Sequence, residues 1–257
     1  MISVLHLSDL HVGEHPSRRA ALARIVSWII SNLSPATTLI AITGDITDNG
    51  HPWEWKRAGE ELLRLRVKGF VVLLVPGNHD CGDKGVRWQE ERRAGFNLLW
   101  RSISATPLSA RWPQVFTFGG WKFIMLDSSE GQCDDFITLA RGEIGKSQLA
   151  RLEIELQDTA PTAVLMHHDP TDAPDFMHAL DEADEVCGLL GRREIPLLLF
   201  GHMHRRRELR AYKGIGLAYD AGKTTDPDGD AYAINLHRLG ADGSVVTHEM
   251  RVPLKAS

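Results

Sequence analysis

The chain has 257 residues, of which 43% are hydrophobic and 25% are charged. That composition is typical of a globular protein, and the length is enough for one large domain with a full core. The formal net charge of −5 at pH 7 argues against broad electrostatic attraction to nucleic acid or to an anionic membrane.

The cysteine pattern and the apolar runs bear on the cellular compartment. Cys81, Cys133 and Cys187 are odd in number and scattered, which favours a reducing compartment over a disulfide framework. No secretory segment follows Met1, and the longest apolar runs, such as FVVLLV, are too short to span a bilayer. We therefore expect a cytoplasmic protein with no membrane partner.

Short apolar runs alternate with helical patterns along the chain. In chain order, the predicted strands are MISVLHLSDLH, TTLIAITGD, FVVLLVPGNHD, TAVLMHHD and IPLLLFGHMH. Helices are predicted at residues 17–33, from Pro52 to about Arg66, through the 80s and 90s, and in GKSQLARLEIELQD and DEADEVCGLLGRR. Hairpins are predicted at Gly119-Gly120 and around Asp242-Gly243. This order predicts an α/β core flanked by antiparallel strands, in one domain of residues 1–257.

Five polar segments stand at the C-terminal ends of apolar strands. They are SDLH at 8–11, GDITD at 44–48, GNHD at 77–80, MHHD at 166–169 and GHMH at 201–204. Ligand sites of α/β sheets assemble at that edge. Each segment alone is explained by a turn or a helix cap, but together they supply Asp, His and Asn donors suited to Mn, Fe or Zn.

The last of these segments shows how two donors reach one spot. Side chains at i and i+2 of an extended segment point to the same side, so His202 and His204 can aim at a common point beyond the strand. The segment therefore indicates a ligand site rather than isolated surface polarity once the other four are considered.

The order D-x-H, G-D-x-x-D, G-N-H-[DE], H and G-H-x-H, from Asp9 to His204, resembles the calcineurin-like metallophosphoesterase superfamily. The segments HLSDLHVG, GDITDNG, LDSS and QLARLEIEL are most similar to its class III cyclic nucleotide phosphodiesterase-like branch. The resemblance implies a four-layer sandwich of two mixed β-sheets flanked by helices.

The resemblance also implies a binuclear centre of two divalent or mixed-valence metal ions. Two divalent ions carry four positive charges against three from two aspartates and a hydroxide, which leaves about one positive charge to receive a phosphate. The seven implied ligands are Asp9, His11 and His204 for one metal, Asn78, His167 and His202 for the other, and Asp45 as the bridge. Glycines precede ligand residues in three of the motifs, at Gly44, Gly77 and Gly201, where a missing side chain permits tight turns.

The implied activity is hydrolysis of a small phosphodiester, cyclic nucleotide-like or glycerophosphodiester-like, by attack of a hydroxide that bridges the metals. His79 matches the family's non-ligand histidine, which stabilises the transition state or protonates the leaving oxygen, and Asp48 matches its orienting carboxylate. An alternative is a phosphomonoesterase acting on a small metabolite or a phosphoprotein. The complete ligand set disfavours a non-catalytic binding scaffold, and the acidic balance disfavours a nuclease.

Several positions keep two interpretations at this point. His168 is either a contact beside the centre or the ligand in place of His167, and Asp169 stands where the family commonly has proline. The arginines at 205–207 either steer a phosphate or form a solvated face. His51 and Trp53 either form the floor of a substrate pocket or mark a helix start. The sequence gives no oligomeric state, so a homodimer stays open.

Overall fold

A computed structural model describes residues 1–83, 86–129, 140–172 and 176–254. Cys133 lies outside the described residues. Cys81 and Cys187 are buried free cysteines. No helix among the described residues is both long and apolar enough to cross a membrane.

The described residues form fourteen strands, six α-helices and a 3₁₀ turn at Phe176–His178. The strands are β1 (Ile2–Leu7), β2 (Thr38–Thr43), β3 (Val71–Val75), β4 (Gly82–Asp83), β5 (Arg87–Trp88), β6 (Gln114–Phe118), β7 (Trp121–Met125), β8 (Thr162–Leu165), β9 (Leu197–Phe200), β10 (Arg206–Tyr212), β11 (Ile215–Ala221), β12 (Pro227–Asp228), β13 (Ala231–Leu239) and β14 (Val245–Pro253). The helices are α1 (Pro16–Asn32), α2 (Pro52–Val67), α3 (Asn78–Cys81), α4 (Glu90–Ile103), α5 (Lys146–Glu155) and α6 (Ala183–Arg192).

Two mixed sheets organise the molecule. In the first, β1, β2 and β3 are parallel, β13 pairs antiparallel with β1, and β12 and β14 pair antiparallel with β13. In the second, β7, β8, β9 and β11 are parallel, and β6 and β10 pair antiparallel at its two edges. Two mixed sheets with flanking helices confirm the predicted fold class.

Strand β9 shows how the layers share their apolar side chains. Leu197 and Leu199 join the large core cluster that also contains side chains of the first sheet. Leu198 and Phe200 join the smaller cluster that contains side chains of α5 and α6. Because successive strand residues point to opposite faces, an unbroken apolar run is what a strand covered on both sides requires.

Both predicted hairpins are confirmed, whereas two strands after residue 205 were not predicted. Strands β6 and β7 turn at Gly119 and Gly120, whose φ values of 57° and 84° suit a tight hairpin turn, and β13 and β14 form the second hairpin. The sequence pattern predicts no strand at residues 206–221, where the structure has β10 and β11. Strand β10 is an edge strand rich in charged residues, so it lacks the apolar run on which the strand predictions depended.

Candidate metal centre

The polar segments that follow β1, β2, β3, β8 and β9 meet at one edge of the two sheets. Within the first sheet, the Asp9 amide donates to the carbonyl of Gly44 at 3.1 Å. Between the sheets, His167 Nδ1 lies 2.8 Å from the carbonyl oxygen of Thr43. Within the second sheet, the Gly201 amide donates to the carbonyl of His167 at 3.0 Å. These bonds fix the loops that carry the candidate ligands.

Four of the predicted ligands form one compact group. One side-chain donor atom from each of Asp9, His11, Asp45 and His204 lies within 4.8 Å of all the others. His204 Nε2 is 3.0 Å from His11 Nε2 and 3.4 Å from Asp9 Oδ1, and His11 Nε2 is 3.6 Å from Asp45 Oδ2. Converging imidazole nitrogens and carboxylate oxygens are a donor set that suits Zn, Mn or Fe.

The remaining three predicted ligands form a second group, which reaches Asp45 through His167. His167 Nε2 is 2.9 Å from Asn78 Oδ1 and 3.4 Å from Asp45 Oδ2. The ring of His202 lies 5.1 Å from that of His167, and its Nε2 atom is buried without a hydrogen-bond partner among the described residues. A buried nitrogen without a partner is costly unless something binds it, so this group also fits a metal ion.

Hydrogen bonding fixes the tautomer of His167. The carbonyl of Thr43 can only accept a hydrogen bond, so the proton of the neutral ring lies on Nδ1. In the neutral ring, Nε2 then carries the lone pair that a cation beside Asp45 would bind. Histidines that bind metals through one nitrogen commonly donate from the other to a carbonyl, and His167 has that arrangement.

The electrostatics of the centre favour a bound cation. Burial lowers the pKa of His167, but the carboxylates of Asp45 and Asp9 outweigh burial and raise this pKa to about 9. Burial raises the pKa of Asp45, but His167 and His79 hold it well below its usual value. Two carboxylates in a buried site therefore attract positive charge strongly.

Left-handed backbone conformations concentrate at the centre. A positive φ costs a residue other than glycine of order 1 kcal/mol or more, and such strain is tolerated where function requires it. Five of the seven predicted ligands adopt it: Asp9 (51°), His11 (43°), Asp45 (48°), His202 (76°) and His204 (54°).

The glycines that precede ligand residues act mainly through close packing. We expected Gly44, Gly77 and Gly201 to permit tight turns, but only Gly44 has a positive φ, of 89°. A Cβ atom on Gly77 would lie 2.2 Å from Asp45 Oδ1, and one on Gly201 would lie 1.9 Å from the hydroxyl of Ser8. The expectation is corrected for Gly77 and Gly201, where the absent side chain leaves room for neighbouring polar atoms.

His79 lies at the rim of the centre, with 24% of its side chain exposed. Its Nδ1 atom is 2.6 Å from the backbone carbonyl oxygen of Asp48 but 3.9 Å from the nearer carboxylate oxygen of that residue. The Asp48 carboxylate lies closer to His11, with Oδ1 at 3.3 Å from Nδ1. The expectation that this carboxylate orients His79 is therefore corrected: the carbonyl orients His79, because a loop carbonyl already occupies the hydrogen-bonding direction of Nδ1.

Asp80 organises the centre, although it is not among the site residues predicted from the sequence. Its buried carboxylate accepts hydrogen bonds from the amides of Ile46, Thr47 and Gly77 at 2.9–3.1 Å. Burial and the charge of Asp45 raise the pKa of Asp80 to about 6. In the sequence, Asp80 is the acidic residue that ends the GNHD segment, and an acidic side chain at that position can accept hydrogen bonds from the loop after β2.

His168 makes a different contact from that of His167. Its Nδ1 atom is 2.7 Å from the hydroxyl of Ser128, which also accepts from the His168 amide at 3.2 Å. The ring centroid lies 4.5 Å from that of His202. His168 therefore packs beside a predicted ligand, while His167 is the histidine that reaches Asp45.

The three arginines after GHMH are all paired with carboxylates. Arg207 also contacts the hydroxyl of Thr171 and so holds the loop after β8 against β10. Such pairing fits the solvated-face interpretation better than a phosphate-steering one. The pairs are Arg205 with Asp172 (3.5 Å), Arg206 with Glu249 (3.2 Å), and Arg207 with Asp169 and with Asp172 (3.1 Å).

Comparisons with known proteins agree with this geometry. Residues 2–206 match the family described as calcineurin-like phosphoesterase. The 3′,5′-cyclic-nucleotide phosphodiesterase of Nostoc sp. is 26% identical over 278 residues, covering 98% of this chain and 93% of that protein. A probable glycerophosphodiester phosphodiesterase of Arcobacter nitrofigilis is 31% identical over 190 residues, covering 68% of this chain and 60% of its own length.

A likeness of fold extends to a solved structure from Plasmodium. The protein GAP50, described as the anchor in the inner membrane complex, superposes with a TM-score of 0.61 at 13% identity, over 99% of this chain and 89% of that one. At this identity the likeness shows the fold alone. Because the family match spans most of the chain, the protein belongs to the calcineurin-like phosphoesterase family.

Proposed function

We propose that this chain is a metal-dependent phosphodiesterase that hydrolyses small phosphodiesters, cyclic nucleotide-like or glycerophosphodiester-like. The observation that carries the proposal is Asp45, whose Oδ2 atom lies within 3.6 Å of His11 and 3.4 Å of His167, between two groups of donor atoms. The relatives named as cyclic-nucleotide and glycerophosphodiester phosphodiesterases support the same class of substrate.

In this proposal the centre holds two metal ions. Its nitrogen and oxygen donors suit Mn, Fe or Zn. Such ions, when bound, supply Lewis-acid polarisation of the phosphoryl oxygens and lower the pKa of water toward about 7. Asp45 would be the shared ligand. The other ligands would be Asp9, His11 and His204 for one ion and Asn78, His167 and His202 for the other.

His79 would act on the leaving group. Its Nδ1 atom faces the carbonyl of Asp48, which can only accept, so Nδ1 carries a proton. In the protonated ring, Nε2 also carries a proton that it can donate to the leaving oxygen. The amide of His79 donates to Asp45 Oδ1 at 2.9 Å, which ties the histidine to the shared carboxylate. Ring orientation and loop position are thus both fixed.

The proposal is tested by comparing substrates on metal-loaded protein. We expect faster turnover of bis(p-nitrophenyl) phosphate than of p-nitrophenyl phosphate, and turnover of 3′,5′-cyclic AMP or a glycerophosphodiester. Removal of metal with a chelator should abolish both activities, and added Mn or Zn should restore them. A clear preference for the monoester would favour the phosphomonoesterase instead.

Two broader inferences accompany the function. We infer a single domain, because the large core cluster contains side chains of both sheets, such as Leu5 and Leu199. We also infer a reducing, cytoplasmic compartment, supported by the buried free thiols of Cys81 and Cys187. Burial raises the pKa of Cys81 to about 12, so this thiol stays protonated and inert.

A further inference from the structure

A cavity of about 340 Å³ lies between the loop that follows His11 and the start of α2. That volume is within the range of small-molecule pockets, which is roughly 300–1,000 Å³. Its walls include Val12, Gly13, His15, Arg19, Trp53 and Arg57. None of these side chains is among the predicted metal ligands, so the proposed hydrolysis leaves the cavity without a role.

The wall of this cavity is joined to the metal centre through Glu54. This buried carboxylate, 1% exposed, accepts hydrogen bonds from the amides of Asn49 and His51 at 2.9 and 3.1 Å. The Asn49 side chain donates to the carboxylate of Asp48 at 2.6 Å. A Cβ atom on Gly13 would lie 2.2 Å from Glu54 Oε1, so the loop after His11 packs directly on the same side chain.

The cavity combines an aromatic surface with positive charge. Trp53 is 44% exposed, and the guanidinium of Arg57 lies 4.8 Å from the centre of its ring. Arg19 pairs with Glu60 at 2.9 Å, whereas no carboxylate pairs with Arg57 within the part of the chain that the structure describes. Indole and guanidinium planes are the surfaces on which proteins stack nucleobases, and a guanidinium can also donate hydrogen bonds to a base.

We propose that this cavity binds the nucleoside part of a phosphodiester whose phosphate is held at the metal centre, with Trp53 and Arg57 as specificity-determining residues. The inference rests on the proposed function and adds a substrate preference to it. A nucleobase offers a planar face to the indole and acceptor atoms to the guanidinium. A glycerophosphodiester has neither, so the cavity favours nucleoside diesters over glycerol diesters.

The first test compares two substrates on metal-loaded protein. We expect Trp53→Ala to lower kcat/KM for 3′,5′-cyclic AMP about tenfold relative to kcat/KM for glycerophosphoethanolamine, mainly through KM, since stacking on an aromatic residue contributes at this level. Trp53→Phe should recover most of the preference because it keeps an aromatic face. The matched control is Val67→Ala, at the exposed far end of the same helix, which should leave the ratio unchanged.

The second test measures binding without turnover. Adenosine has no phosphate to hydrolyse, and we expect it to bind the metal-loaded protein and to lose about tenfold in affinity with Trp53→Ala, by NMR titration. If no diester is hydrolysed but adenosine binding depends on Trp53, the proposed function is wrong and the cavity assignment stands. If diesters are hydrolysed and Trp53→Ala changes neither the substrate ratio nor adenosine binding, the cavity assignment is overturned. An equal loss for both substrates would overturn it as well.

Discussion

Two groups of buried histidines lie among the residues that the structure describes, and their neighbours differ in kind. At the metal centre, His167 lies 3.4 Å from the carboxylate of Asp45. Between the sheets, His6 and His237 have hydroxyl partners, with Nε2 of His6 at 2.9 Å from Thr43 Oγ1 and Nδ1 of His237 at 2.9 Å from Thr247 Oγ1. His167, His6 and His237 are all fully buried, so exposure does not distinguish them.

The charge of the neighbours separates His167 from His237. Burial lowers the pKa of His167, but Asp45 and Asp9 raise it to about 9, while burial alone lowers the pKa of His237 to about 3. The imidazole of His167 thus lies where a positive charge is favoured, whereas the imidazole of His237 is a neutral packing group. Converging carboxylates mark His167 as a candidate ligand, whereas His237 has hydroxyl and ring neighbours.

The largest expected effect comes from the adjacent histidines of the MHHD segment. His167→Ala should remove a ligand, deplete one metal ion and abolish most activity. Residues that only contact a ligand typically contribute less, roughly 10–100-fold. His168→Ala should keep stoichiometric metal and lose at most that amount, because its ring bonds to Ser128. Metal analysis and turnover of both variants at matched pH check this. Equal metal loss in the two would show that the ligand is misassigned.

A somewhat smaller effect is expected at His79, which is close to the carboxylates without being a predicted ligand. His79→Ala should retain both metals and lose about 10²–10⁴-fold in kcat, the usual contribution of general acid catalysis. Asp48→Asn keeps the backbone carbonyl that orients His79, so its loss should be smaller than that of His79→Ala. A metal-depleted His79→Ala protein would place this residue among the ligands instead.

Much of the fold and the centre could be predicted because the information is local. Each apolar strand is followed directly by its polar segment, and the carboxyl ends of parallel strands meet at one edge. The contacts that refine the chemistry are distant in sequence. Thr43 sets the tautomer of His167 from 124 residues away, and His6 lies in a cluster with Tyr219 and His237. No pattern in one sequence reports such pairs.

Other features were missed because two physical causes leave similar sequence patterns. Gly201 was expected at a turn, but it is required by the approach of Ser8 and Asp9. Both causes place glycine before a ligand residue. Strand β10 was missed because its edge position permits charged residues, which in the sequence are indistinguishable from a solvated loop.

Gly201 tests whether close packing holds the carboxylates of the centre in place. A Cβ atom there would lie 1.9 Å from Ser8 Oγ and 2.5 Å from Asp9 Oδ2, so Gly201→Ala should displace Asp9 and weaken metal binding about tenfold. Gly188→Ala in α6 is the control, since the nearest atom is Arg192 Nη1 at 3.4 Å. That change should leave metal affinity alone and stabilise the helix by about 0.5–1 kcal/mol. Calorimetric metal titration of both variants measures these affinities. A Gly201→Ala protein with the metal affinity of the parent would show that close packing at Gly201 does not hold Asp9 in place.

The smallest expected effect concerns the hydroxyl-bonded histidines between the sheets. His237 has a folded-state pKa of about 3 and an unfolded value near 6.5. Between these values the unfolded chain binds a proton that the folded chain does not, so the stabilisation is complete above about pH 6.5 and declines as the pH falls. The slope is about 1.4 kcal/mol per pH unit for this one group.

His237→Gln should therefore flatten the pH dependence of the free energy of unfolding by about that slope between pH 6 and 4.5, measured by urea denaturation with a chelator present. The chelator keeps metal release at the other histidine group out of the comparison. His248→Gln is the control, because His248 is exposed on β14 and its substitution should leave the slope as in the parent protein. An unchanged slope in His237→Gln would mean that His237 is protonated when folded, and the contrast between the two histidine groups would then fail.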